Sequence, residues 1–181
     1  MTRKEVEEKI SKVGDYVKMD YLQVALKQQL DFDTRKFVLT KLSQIYESRK
    51  MYLEAGKLIK LAAEINVTFE GKINDYMKST ELLIKYGAFD EADLSFAKAL
   101  ATATENQKGG LKTKRKELLR FHAEDCIKRD KRAHALAAYE RLVDMPELSS
   151  DEKRKAQTAL LGLYQKLGKV REFGNLQKSM S

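Results

Sequence analysis

The sequence predicts an all-α chain, a right-handed solenoid of about five antiparallel helix hairpins. Three observations predict it. Apolar residues recur at helical spacing almost from end to end. Gly and Pro number only nine and one in 181 residues, too few for the turns of an all-β protein. One short pattern of residues also returns at a near-constant interval. The charged fraction, 34%, exceeds the usual quarter and suits an elongated helical array with much surface for its core.

The elements follow in order. Val6, Ile10, Val13 and Val17 form the first stripe, and Tyr21, Leu22, Ala25, Leu26 and Leu30 a short second one. Asp33 is the expected N-cap of a third helix carrying Phe37, Val38, Leu42, Ile45 and Tyr46. A fourth carries Leu53, Leu58, Ile59, Ala62 and Ile65, with Asn66 at its end and Thr68 capping the next. Helix five runs through Ile73, Met77, Leu82, Leu83 and Tyr86 to Gly87, and helix six carries Ala92, Phe96, Ala99 and Leu100. Gly109-Gly110 reads as a loop. Helix seven follows with Leu118, Leu119, Ala123, Cys126 and Ile127, and helix eight with Ala135, Leu136, Tyr139, Leu142 and Val143. Pro146 stops the chain there, and Ser149 with Glu152 forms a capping box for helix nine (Ala156, Leu160, Leu163, Tyr164). Gly168 ends it, and a tenth helix starts near Val170. Short links make these into hairpins over about 3–31, 33–66, 68–104, 111–145 and 149–179 of a single domain, 1–181.

The repeat is visible by self-comparison. Tyr46, Lys50, Tyr52, Glu54-Ala55, Ile59 and Ala62 align with Leu83, Gly87, Phe89, Glu91-Ala92, Phe96 and Ala99. Cys126, Ala135, Tyr139 and Leu142 make a third copy, and Tyr164, Gly168 and Glu172 part of a fourth. Small Ala55, Ala92 and Ala135 let the second helix of a hairpin approach the first, and the next hairpin covers the face left open. Lys50 stands where the second copy has its turn glycine. Copies lie about 37, 43 and 38 residues apart.

This pattern, an aromatic, then Gly-x-aromatic-x-Glu-Ala, then an aromatic and a second Ala, resembles the tetratricopeptide-repeat family, best over residues 83–100. The interval exceeds the family's ~34 residues, so the chain looks more like the longer-helix vesicle-fusion adaptor or proteasome-lid arrays. The resemblance implies an interaction scaffold. The family's Lys/Asn carboxylate clamp is not recognisable, so capture of a chaperone's C-terminal peptide is not implied.

Charge is uneven. Residues 1–106 hold 17 Lys+Arg and 17 Asp+Glu, whereas residues 107–181 hold 18 and 10. The whole surplus of +8 lies in the second part and points to an anionic partner. Lys108, Lys112, Lys114, Arg115, Lys116 and Arg120 cover the expected loop and the start of helix seven; Lys128, Arg129, Lys131 and Arg132 cover the turn into helix eight. Cations suit a helix C-terminus and oppose its N-terminus, so Lys128 and Arg129 have a local structural reason and Lys112 to Lys116 less of one. A solvated face and a contact for acidic protein, RNA or DNA both remain open. Phe121, the only aromatic near this charge, reads as core.

Chemistry finds little purchase. Cys126 is the sole cysteine, which excludes an internal disulfide. His122 and Cys126 share a helix face, yet Cys126 occupies a packing position of the repeat, and no metal or cofactor is expected. The Gly109-Gly110 string lacks Walker spacing. Pairs such as Glu7-Glu8, Asp90-Glu91 and Asp151-Glu152 read as charges of helix first turns or exposed faces. No nucleophile–base set is present, so we expect a non-enzyme. The start lacks an apolar leader, no apolar run reaches the ~20 residues of a membrane span, and a cytoplasmic protein is expected; the Asn66-Val67-Thr68 sequon then carries no meaning.

Two functions compete. One is a protein–protein scaffold or adaptor whose first helices present Gln44, Glu47, Asn74, Glu81, Arg120 and Glu124, with the basic C-terminal part meeting an acidic segment or surface. The other is an RNA- or DNA-binding adaptor using that basic part. Tyr16, Val17, Met19, Tyr21 and Leu22 in the N-terminal hairpin either cap the array or form a homodimer face.

Overall fold

The computed structural model describes residues 1–180. Among them the protein is all-α, with ten helices and no strand: α1 (Arg3–Ser11), α2 (Asp15–Leu26), α3 (Phe32–Ser48), α4 (Tyr52–Ile65), α5 (Phe69–Tyr86), α6 (Phe89–Thr102), α7 (Glu105–Lys128), α8 (Arg132–Val143), α9 (Ser150–Lys166) and α10 (Val170–Met180). Helices pack mostly against their neighbours in sequence, as in a helical repeat array. Two compact units are present, residues 1–105 and the chain from Asn106 onward.

The repeat is a repeat of backbone geometry. Lys50, Gly87, Asp130 and Gly168 all have positive φ, at 61°, 98°, 54° and 68°. In each case the next residue's N–H reaches back five positions: Met51 to Tyr46 O (2.9 Å), Ala88 to Leu83 O (2.9 Å), Lys131 to Cys126 O (2.8 Å) and Lys169 to Tyr164 O (2.8 Å). These are Schellman closures, which satisfy carbonyls that a helix end leaves orphaned. Met51, Ala88 and Lys131 then start the second helix with nearly the same dihedrals, φ near −85° and ψ of 65°, 69° and 64°. Ala55, Ala92 and Ala135 follow and are fully buried. In the fourth copy Phe173 holds this place, and no side chain of α10 is buried.

Left-handed backbone costs an ordinary L-residue roughly 1–2 kcal/mol. Lys50→Gly should therefore raise the first unit's unfolding free energy by about 0.5–1 kcal/mol, after allowing for glycine's freer unfolded chain. Asp130→Gly should gain less, because Asp tolerates this region and Asp130 binds Arg132 at 2.7 Å. Urea midpoints check both, and a destabilised Lys50→Gly would refute the turn assignment.

The first unit's core joins Leu22, Val38 and Leu42 to Leu82, Leu83 and Ile84, all essentially inaccessible. Its helices approach closely enough for serines to serve as clips. Ser43 Oγ donates to Ala55 O and Ser79 Oγ to Gly56 O, each at 2.9 Å, and Ser79 and Ser95 hydroxyls meet at 3.1 Å. In the second unit Leu119, Ala123, Cys126, Leu136, Leu142, Leu160 and Leu163 are buried. Tyr164 donates to Glu140 at 3.0 Å; burial and that carboxylate push its phenol up to about 12.

Several expected details change. Asp31, not Asp33, caps α3, accepting the Thr34 N–H at 2.8 Å. The first stripe breaks at Gly14, so Val17 belongs to α2 and is exposed. Gly109 and Gly110 lie inside α7, whose link from α6 is Ala103-Thr104; two glycines weaken a helix by about 2 kcal/mol but do not force a turn. The fourth hairpin thus begins near 105 rather than 111. Phe121 is exposed rather than core. Asn66 and Thr68 do end α4 and start α5. Asn66 is buried, with its amide donating to Asp75 at 2.8 Å, so the sequon is a structural turn.

Candidate partner-binding surfaces

The six groove residues fall in both units, Gln44, Glu47, Asn74 and Glu81 in the first and Arg120 and Glu124 in the second. Gln44 is exposed on α3 and lines a cleft of about 670 Å3 against α1 and the start of α2. The floor is Phe37, whose ring lies 5.0 Å from the Arg3 guanidinium and 5.8 Å from the Lys41 ammonium. Arg3 is itself tied to Glu7 at 3.0 Å and Asp33 at 3.4 Å, so Glu7 acts as a tether from a solvent-accessible face of α1.

Glu47 and Glu81 belong to an ion ladder. Lys78 on α5 reaches Glu47 on α3 at 2.7 Å and Glu81 at 3.5 Å, and Glu81 also meets Lys85 at 2.5 Å. Burial opposes these charges, but the partners outweigh it: Lys78 is held above its ordinary range and Glu81 below its own. Glu47 therefore staples α3 to α5 through Lys78, and Glu81 holds that lysine in place from within α5. Asn74 is exposed on α5.

In the second unit a cleft of about 460 Å3 opens between α7 and α9. Its floor is apolar: Tyr139 and Leu142 from α8, Leu148 from the link and Ala156 from α9. Its walls are charged, with Lys116, Glu117, Arg120 and Glu124 from α7 facing Glu152 and Lys155. Arg120 is fixed by Glu117 at 2.6 Å and Glu124 at 3.4 Å, and its guanidinium lies 4.5 Å from the Phe121 ring centre. Lys116 bridges to Glu152 at 2.9 Å. The Ser149 N–H and then Lys116 hold the Glu152 carboxyl down to about 2. Lys155 has no ion-pair partner among the described residues.

The basic residues divide as their sequence positions suggest. Lys112, Lys114, Arg115 and Lys116 lie along α7 beyond its first turn, which holds Lys108, so most escape the repulsion of the helix dipole. Lys112 pairs with Glu147 at 3.2 Å. At the α7–α8 turn, Arg129 pairs with Asp125 at 3.1 Å and Arg132 with Asp130. Lys114, Lys128 and Lys131 are exposed without an ion pair among the described residues.

His122 and Cys126 do meet, Nε2 to Sγ at 3.3 Å, with the His134 ring 6.4 Å away edge-on. Burial first, and His134 next, lower the His122 pKa to about 4; burial pushes the Cys126 thiol up. The pair is a half-buried neutral contact, not an activated thiolate.

Sequence reasoning missed the cleft floor and Lys155. Tyr139 and Leu142 read correctly as packing residues, and nothing in their spacing says that one side of each also lines an opening. No protein-family model matches the chain, and no curated protein matches it.

Proposed function

We propose that the protein is a non-enzymatic scaffold or adaptor, a right-handed solenoid of tetratricopeptide-like hairpins, that holds a segment of another protein in the α7–α9 cleft. The supporting observation is the cleft's build: an apolar floor between rigid helices, walled by charges already locked in geometry by neighbours. Tyr139, Leu142 and Leu148 suit the apolar side chains of an amphipathic segment. Lys155 and the surplus of cations along this unit suit its acidic residues.

A nucleic-acid adaptor is the second reading, favoured by the same surplus. At least five of the ten cations flanking the α7 groove and turn are already paired: Lys112, Lys116, Arg120, Arg129 and Arg132. Such pairs must break before each cation can meet a phosphate, which favours the protein partner.

Affinity capture from lysate with and without nuclease separates the two. The recovered protein should persist after nuclease and bind Arg120→Glu/Lys155→Glu at least about tenfold more weakly, the loss of one hot-spot contact. The same variant should stay folded, melting only slightly earlier because Arg120 loses its pairs with Glu117 and Glu124. Normal binding by the variant would remove the cleft from the proposal. Capture that depends on RNA or DNA, with affinity falling steeply in salt, would replace it with the second reading.

A further inference from the structure

The four left-handed turns share one backbone, so they serve as controls for one another. Consider the eight residues running from three before the left-handed position to four after it. Around Lys50 they carry no net charge, with Glu47 and Glu54 balancing Arg49 and Lys50. Around Gly87 the net is −1, from Lys85, Asp90 and Glu91. Around Asp130 it is +3, from Lys128, Arg129, Lys131 and Arg132 against Asp130. Around Gly168 it is +2, from Lys166, Lys169 and Arg171 against Glu172. The turn therefore does not need cations. The dipole of the preceding helix favours them equally in all four copies, so it does not explain their concentration in the second unit.

The two basic turns share an edge. A recess of about 240 Å3 is lined on one side by Ile127, Asp130 and Arg132 and on the other by Gly162, Leu163 and Lys166 of α9. Lys128, Lys131, Lys166 and Arg171 have no ion pair among the described residues. Aliphatic side chains stand exposed among them: Ile127, Leu167 and Val170, the last 80% accessible. The first unit's turns also expose Met51 and Tyr86, but in a balanced field. Cations interleaved with exposed aliphatics fit the boundary between anionic headgroups and acyl chains. Single-stranded nucleic acid instead asks for aromatic stacking platforms, and neither basic turn exposes a Phe or Tyr ring.

We propose that the turn edge of the second unit docks on an anionic lipid surface. Lys128, Lys131, Lys166 and Arg171 engage headgroup phosphates and carboxylates, while Ile127, Leu167 and Val170 seat at the acyl boundary. This surface is distinct from the α7–α9 cleft floor and stands whether or not that cleft holds a protein.

Sedimentation with phosphatidylcholine vesicles, with and without phosphatidylserine, tests it on the full chain. The protein should pellet with the anionic vesicles only, and less as salt rises. Lys131→Gln and Arg171→Gln should each lower the partition coefficient about fivefold, and together about 25-fold. Val170→Ser should weaken binding with the charge unchanged, whereas Lys50→Gln and Lys85→Gln at the first unit's turns should leave it intact. Matching thermal melts show that the variants are folded. Equal sedimentation with both vesicle types, or insensitivity to Lys131→Gln/Arg171→Gln, overturns the proposal. So does an edge that binds single-stranded RNA through these residues while anionic vesicles stay unbound.

Discussion

Leu83→Ala should lower the unfolding free energy of the first unit by about 2–5 kcal/mol, the usual range for emptying a fully buried leucine site. Leu83 is 1% exposed and acts twice. Its carbonyl accepts the closing N–H bonds of the α5–α6 turn, a role the alanine keeps. Its side chain fills the gap between α5 and α4, which alanine leaves empty. A Cβ placed on Gly56 would lie 2.9 Å from Leu83 Cγ. So Gly56→Ala, which in an exposed helix would stabilise by about 1 kcal/mol, should here cost about 1–3 kcal/mol by overpacking. The double variant discriminates between the two causes. Removing the Leu83 δ-carbons makes room for the new methyl, so the pair should cost less than the sum by about 0.5–3 kcal/mol. Strict additivity in urea titrations would mean that α4 and α5 do not meet through these two residues.

The repeat was legible because it is written twice, in side chains and in backbone. The alignment places Lys50 opposite Gly87, and the left-handed φ of both residues is what that alignment requires. Small residues at 55, 92 and 135 likewise carry their own packing consequence. The α6–α7 link was not legible because Ala103-Thr104 contains no residue that demands a turn, while Gly109-Gly110 permits one without forcing it. Once α7 starts at Glu105, the charge on Lys112 to Lys116 no longer opposes a helix start.

The sites were less legible, for a different reason. Glu47 and Lys78 are 31 positions apart, and Lys116 and Glu152 are 36 apart. Such pairs depend on how one hairpin is set against the next, which no local spacing encodes. They change the meaning of the groove residues: Glu47 and Glu81 become parts of the frame, whereas Gln44 and Arg120 line clefts. The turn cations are the opposite case. Their charge is plain in the sequence, but it becomes informative only when four turns of one geometry can be compared.

Lowering the pH from about 7 to about 5 should weaken the second unit chiefly through His122, before its depressed carboxylates begin to lose their contribution. In the fold His122 titrates at about 4 rather than near 6.5. Burial disfavours the imidazolium, His134 stands 6.4 Å away, and Lys131 and Arg129 add repulsion that Asp125 only partly offsets. Between these two values the unfolded chain binds the proton and the folded chain does not. Stability is therefore full above about 6.5, falls as the pH drops towards 4, and loses nothing further from this group below that. A shift of this size corresponds to at most about 3 kcal/mol; with part of the ring in water, screening brings the expected loss to about 1–2 kcal/mol. Glu152, held near 2, loses its contribution from the ordinary carboxylate range downward, so most of the His122 window lies above it. His122→Gln should flatten urea-derived stability across the upper window and leave the lower one. His134→Gln should only shrink the slope, because it removes the smaller of the two main causes. A wild-type profile already flat between about 7 and 5 would show that the His122 ring is solvated, and the packing described around Cys126 would have to be revised.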